Sequence, residues 1–231
     1  MKKFFLLILL FISANAMSQN EQLKTDWASL KRYSAENAKL KPLSNNEIRV
    51  VFMGNSITEF WLRYDSSFFK DNLFIDRGVS GQTTPQMLVR FRQDVILLKP
   101  SVVVILAGIN DIAENTGPIA LEDVFGNIVS MAELAKVNNI RVVLSSVLPA
   151  CDFPWTRGLQ PAEKVIKLNA MIQDYCKANN IVYADYFSSM VDERNGLDKN
   201  YSKDGVHPTI AGYKMMEPLV QKAIETALSQ E

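Results

Sequence analysis

The sequence predicts an α/β protein built on a parallel sheet with helices on both faces. Three observations carry that prediction. Short apolar, β-branched runs alternate with helical patterns about five times, the order expected when right-handed crossovers join parallel strands. The runs are apolar throughout, Val102-Val103-Val104-Ile105-Leu106 most clearly, as strands buried on both faces are. Polar residues gather just past the strand ends, where open parallel sheets bind their ligands.

The chain has 231 residues, of which 48% are hydrophobic and 22% charged. That composition suits one globular domain with a large core. Lysine plus arginine and aspartate plus glutamate both number 25, so the whole-chain charge lacks the basic excess of a nucleic-acid-binding protein.

The first residues are expected to lie outside the domain. Met1-Lys2-Lys3 is basic, residues 4–12 are apolar, and Ala14-Asn15-Ala16 fits a cleavage site. This is the pattern of a secretory signal peptide, residues 1–16, too short to span a bilayer. The mature domain would be residues 17–231, exported to the periplasm or medium. No cysteine follows the apolar run, and no later run is long and apolar enough for a transmembrane helix, so no stable membrane anchor is expected.

Residues 20–41 read as a packing helix, with Leu23, Trp27, Leu30 and Tyr33 at helical spacing and Pro42 as its stop. The first strand covers residues 48–53 and ends at Gly54. Ser56 follows, before a helix to about residue 70. That position suits an N-cap and a reactive hydroxyl equally. The second strand, residues 73–79, runs into Gly78-Val79-Ser80-Gly81-Gln82-Thr83-Thr84, a turn that exposes backbone N–H groups. Pro85 opens the next helix, which reaches residue 98. The third strand, residues 101–107, ends in Gly108-Ile109-Asn110-Asp111. A helix over 121–137, a strand over 141–147 and a loop over 148–160 follow. Within the loop, Trp155 reads as core or loop packing in preference to a sugar platform. A helix over 161–178, a short strand over 181–184 and an irregular segment lead to Asp204-Gly205-Val206-His207-Pro208. The last helix covers 209–228.

Cys151 and Cys176 are the two cysteines. An exported protein can pair them, but their positions do not decide it. Two cysteines and one histidine without ligand spacing do not make a zinc motif, so neither a metal nor a cofactor is expected.

The residues past the strands fit acyl transfer. A serine nucleophile needs a base, and His207 is the sole histidine. Asp204, three residues earlier, is placed to orient the imidazole. The N–H groups of Ser56 and Gly81 and the Asn110 amide would bind the oxyanion. Singly, Gly81 and Asn110 read as turn residues, Asp204-Gly205 as a turn, and a lone histidine as structural. Together they supply every group that one mechanism requires, at one edge of the sheet.

In these blocks the sequence resembles the SGNH subgroup of the GDSL esterases and lipases. The blocks are Gly54-Asn55-Ser56-Ile57, Gly78-Val79-Ser80-Gly81, Gly108-Ile109-Asn110-Asp111 and Asp204-Gly205-Val206-His207-Pro208. The resemblance implies a flavodoxin-like three-layer α/β/α fold with five parallel strands in the order 2-1-3-4-5. It also implies Ser56 as nucleophile, Asp204 and His207 as its partners, and Gly81 and Asn110 as oxyanion donors. Asn55 departs from the aspartate in the family's name, which puts hydrogen bonding in that turn in question. The blocks look most like those of platelet-activating-factor acetylhydrolase-like and carbohydrate acetylesterase members. The expected activity is hydrolysis of short acyl esters, acetyl first, on small molecules or glycans. A lysophospholipase or thioesterase of the same family is the alternative. A non-catalytic glycan-binding protein is a third reading, against which every reactive group is retained. Oligomeric state is left open.

Overall fold

The computed structural model describes residues 26–44 and 47–230; the expected leader lies outside them. Five parallel strands form one sheet in the order β2-β1-β3-β4-β5. They are β1 Val50–Gly54, β2 Phe74–Gly78, β3 Val102–Leu106, β4 Arg141–Ser145 and β5 Val182–Ala184. In register, Gly54 lies opposite Gly78 on one side and Leu106 on the other. The first three strands therefore end level, and the turns that follow them share one edge. All residues of β1 and β3 are buried, which is why both runs are apolar without alternation. The three-layer fold and strand order expected from the sequence are both present.

Helices α2 (Ser56–Tyr64), α3 (Ser66–Asp71) and α9 (Ile210–Ser229) cover one face. Helices α4 (Thr84–Asp94), α6 (Leu121–Val137) and α7 (Ala162–Asn179) cover the other. Trp61 anchors α2. Its ring stacks between Phe68 at 5.1 Å and Tyr213 of α9 at 5.3 Å, with Phe52 of β1 edge-on at 5.8 Å. The Tyr213 hydroxyl donates to the Ile57 carbonyl at 2.8 Å, tying the first turn of α2 to the last helix.

That first turn sits very close to the sheet. A Cβ at Gly54 would lie 1.9 Å from Thr58 Oγ1, and one at Gly78 would lie 2.2 Å from the Glu59 N. Glycine at both strand ends lets the start of α2 approach.

Several expectations differ from the structure. The described part of the predicted 20–41 helix consists of turns and a four-residue helix, α1 (Ser34–Asn37); the earlier part lies outside the described residues. Trp27 and Leu30 are exposed, so no apolar seam forms. The carbonyls of Trp27, Ala28 and Leu30 instead accept from the side chains of Gln86, Gln82 and Gln93. The predicted helix to residue 70 breaks at Asp65, whose Oδ1 caps α3 through the Phe68 N–H. The predicted 85–98 helix ends at Asp94 and continues as a 3₁₀ turn, Ile96–Leu98. Two short helices appear where none was expected, α5 (Ile109–Ile112) just past the third strand and α8 (Phe187–Met190) in the segment read as irregular. Cys151 and Cys176 are unpaired thiols, and burial pushes the Cys176 thiol up to about 12.

Candidate active site

Ser56 is the first residue of α2, and the capping role falls to Asn55. The Asn55 Oδ1 accepts from the Ile57 N–H at 3.0 Å. Asparagine thus keeps the turn bond that an aspartate would make, which answers the question raised by this departure. Its Nδ2 is buried without a partner. Relieved of capping, the Ser56 hydroxyl lies 2.9 Å from His207 Nε2.

His207 Nδ1 lies 2.7 Å from Asp204 Oδ2. An ionised carboxylate only accepts, so Nδ1 carries the proton and Nε2 faces Ser56 with its lone pair. The other Asp204 oxygen accepts from the N–H groups of His207 at 2.8 Å and Val206 at 2.9 Å, and from the Ser202 hydroxyl at 3.2 Å. Partial burial opposes ionisation of Asp204. The His207 N–H, the imidazole and the Val206 N–H outweigh it and hold the carboxyl below its usual range.

Asn110 lies in α5, just past β3, and is 3% exposed. Its amide donates to the Gln82 carbonyl at 3.0 Å. An amide nitrogen has two hydrogens, so one remains for another acceptor. Gln82 directly follows Gly81, whose φ is +78°. Asn110 and Gly81 are thereby joined through one stretch of backbone. The N–H groups of Ser56 and Gly81 make no hydrogen bond among the described residues.

Residues that the sequence reading passed over hold these turns together. Glu59 of α2 accepts from the Ser80 N–H at 2.8 Å and from the Ser80 hydroxyl, so the serine helix grips the Gly81 loop. Its other oxygen accepts from Arg32 at 3.0 Å. Burial opposes ionisation of Glu59, but Ser80 and Arg32 prevail and hold the carboxyl low. Arg90 is fully buried. It donates to the carbonyls of Gly54 at 2.9 Å and Arg77 at 2.8 Å, to Asp94 at 3.1 Å and to the Gln82 side chain. It thus ties the ends of β1 and β2 to the loop that carries Gly81. Asp111 accepts from the Thr84 N–H and hydroxyl, at 3.0 and 2.7 Å, which joins the Asn110 turn to the start of α4. The sequence held one signal for Arg90. Gln86, Arg90 and Asp94 recur every four residues beside Met87 and Phe91, so a polar stripe shares the buried side of α4.

Two aromatic rings flank the imidazole. Phe60 lies 5.4 Å away, centroid to centroid, and Trp155 5.9 Å. Of the core or loop packing expected for Trp155, only loop packing is seen: it lies on Phe153 of the same loop at 5.3 Å and is 44% exposed beside His207. Among the described residues, no three histidine, cysteine, aspartate or glutamate side chains gather as a metal site requires. Among them, too, no helix is long and apolar enough to cross a membrane.

The five-stranded parallel sheet with these groups at its carboxyl edge fits a carboxylic ester hydrolase, and the family match shows that class. The chain belongs to the GDSL-like lipase/acylhydrolase family, whose model matches residues 52–215. It is similar to a GDSL-like lipase from Bacteroides thetaiotaomicron, with 54% identity and a TM-score of 0.86, over 87% of this chain and 100% of that one. It is also similar to a candidate acylhydrolase from Bacteroides fragilis, with 52% identity and a TM-score of 0.87, over 88% and 99% of the two chains. An acetylxylan esterase from Geobacillus stearothermophilus shares the fold at 17% identity and a TM-score of 0.63, over 83% and 100%. A comparison with curated protein sequences finds no match.

Proposed function

We propose that this hydrolase removes short acyl groups, acetyl above all, from carbohydrate esters through Ser56, His207 and Asp204. The observation that carries the reading is the unbroken line from the Ser56 hydroxyl to His207 at 2.9 Å and on to Asp204 at 2.7 Å. In the proposed cycle the Ser56 oxygen attacks the ester carbonyl while His207 Nε2 takes its proton. Asp204 stabilises the imidazolium without itself being protonated. The oxyanion is met by the N–H groups of Ser56 and Gly81 and the second amide hydrogen of Asn110. Collapse of the intermediate expels the alcohol, which takes the proton back from His207. Water, activated by the same imidazole, then releases the acid and restores Ser56.

The acetylxylan esterase with the same fold supports the carbohydrate side of the reading. The basic start, the apolar run of residues 4–12 and Ala14-Asn15-Ala16 support export as a single mature domain, residues 17–231. The mass of the mature N-terminus in an export-competent host checks the cleavage.

The deciding experiment is a series of 4-nitrophenyl esters from acetate to decanoate, with acetylated xylo-oligosaccharides alongside. The reading expects turnover to peak at acetate and acetate to be released from the oligosaccharides. A peak at eight or more carbons would replace it with the lysophospholipase or thioesterase reading. No turnover of any ester would leave a glycan-binding protein.

A further inference from the structure

The line of groups from Ser56 to Asp204 gives the site two distinguishable sides. In the cycle proposed above the carbonyl oxygen is met by Gly81 and Asn110. The leaving alcohol must lie within reach of His207 Nε2, which returns its proton. A ring that borders the imidazole is therefore within reach of the alcohol.

The two rings beside His207 differ in availability. Phe60 is half-buried, and the Arg63 guanidinium already sits 4.9 Å over it. Trp155 is backed by Phe153, buried, at 5.3 Å, and 44% of its surface stays open. Its orientation is held. The indole N–H donates to Asn115 Oδ1 at 3.2 Å, and the Asn115 amide donates to the Gly81 carbonyl at 3.3 Å. One short chain of hydrogen bonds thus sets a partly open indole beside the imidazole and ties it to the Gly81 loop. A large aromatic ring fixed by its polar edge and left open costs little ordering when a ligand covers it.

Resting on the esterase reading above, we propose that Trp155 is the platform for the leaving alcohol, and that its occupant is a neutral pyranose ring carrying the ester. The apolar C–H face of a pyranose covers an indole, while its hydroxyls stay at the edges near Asn115 and water. A quaternary ammonium alcohol is the other ligand that favours an aromatic face. Here the Phe60 ring already carries a cation, the Arg63 guanidinium, so Trp155 alone would face a second one, without the several rings of an aromatic cage.

The test compares kcat/KM for an acetylated methyl xylopyranoside with that for vinyl acetate, whose alcohol has no ring. Trp155→Ala and Trp155→Leu should lower the ratio of the two roughly tenfold, through KM on the sugar ester. Trp155→Phe keeps a flat ring and should retain most of the ratio. An unchanged ratio in the first two variants would overturn the platform. So would an equal loss on both esters through kcat, which would mean that the indole only supports His207. A ratio that falls for acetylcholine and not for the sugar ester would give the site to a cationic alcohol instead. A wild-type protein inactive on every ester would remove the esterase reading and the platform together. Activity on vinyl acetate with the sugar ratio unmoved by substitution would remove the platform alone.

Discussion

Replacing Asn110 with alanine removes two interactions at once. One amide hydrogen is given to the Gln82 carbonyl at 3.0 Å, at a position 3% exposed. Leaving that buried acceptor short of a donor costs about 1–3 kcal/mol of stability. For a chain of this length, each kcal/mol lowers the unfolding midpoint by about 2–4 °C. The second hydrogen is the proposed oxyanion donor. Its loss should lower kcat by about 10²–10³, or about 2.7–4 kcal/mol, with much less change in KM, because the bond is stronger in the transition state than with the ground-state carbonyl. Both the midpoint and kcat should therefore fall. The assay is kcat and KM on 4-nitrophenyl acetate well below the mutant's midpoint, together with thermal unfolding of both proteins. A lowered midpoint with kcat within about threefold of wild type would make Asn110 only a brace for the Gln82 turn. The oxyanion would then rest on backbone donors alone.

Three further outcomes are expected. Glu59→Gln weakens the grip on Ser80 and should lower kcat on 4-nitrophenyl acetate by about tenfold with KM little changed, since charged hydrogen bonds are about twice as strong as neutral ones; a loss confined to thermal stability would show that Glu59 does not position the Gly81 loop. Asp204→Asn should lower kcat by up to about 10⁴ by permitting the wrong imidazole tautomer; kcat on 4-nitrophenyl acetate within about tenfold of wild type would show that the carboxylate does not orient the imidazole. Burial pushes the Asp76 carboxyl up to about 7, with one oxygen on the Gly78 N–H at 2.8 Å and the other unpartnered. Its folded pKa lies above the unfolded value of about 3.9, so its contribution to stability is complete below that value and is lost as pH rises through about 7. Asp76→Asn should remove this dependence and stabilise the protein at pH 8 by at most about 4 kcal/mol; denaturant melts giving the same difference between variants at pH 4 and pH 8 would refute it.

The sheet was legible because its strands are buried on both faces, so Val50–Met53 and Val102–Leu106 are apolar without interruption. The site was legible for a related reason. Ser56, Gly81 and Asn110 each follow a strand closely, and the register of β1, β2 and β3 brings those strand ends level. What escaped the reading depends on contacts far apart in the chain. The helical spacing of Trp27, Leu30 and Tyr33 suggested an apolar seam, but glutamines about 60 residues later claim the backbone carbonyls. Trp155 has no periodic pattern around it, and its place beside His207 is set by the fold of the whole loop. Arg90 drew no reading from the sequence, because its four acceptors, the Gly54 and Arg77 carbonyls, Asp94 and the Gln82 side chain, come together only in the fold. The break at Asp65 was readable, since an aspartate three residues before Phe68 is a helix-capping arrangement.

The central claim is that Ser56 becomes acylated with His207 as its base. Incubation with a small organophosphonate, followed by peptide mass mapping, tests it directly. The account predicts one covalent adduct, carried by Ser56, with adduct formation abolished in Ser56→Ala and slowed by orders of magnitude in His207→Gln. An adduct on another residue, or labelling of the intact protein undiminished in Ser56→Ala, would contradict it.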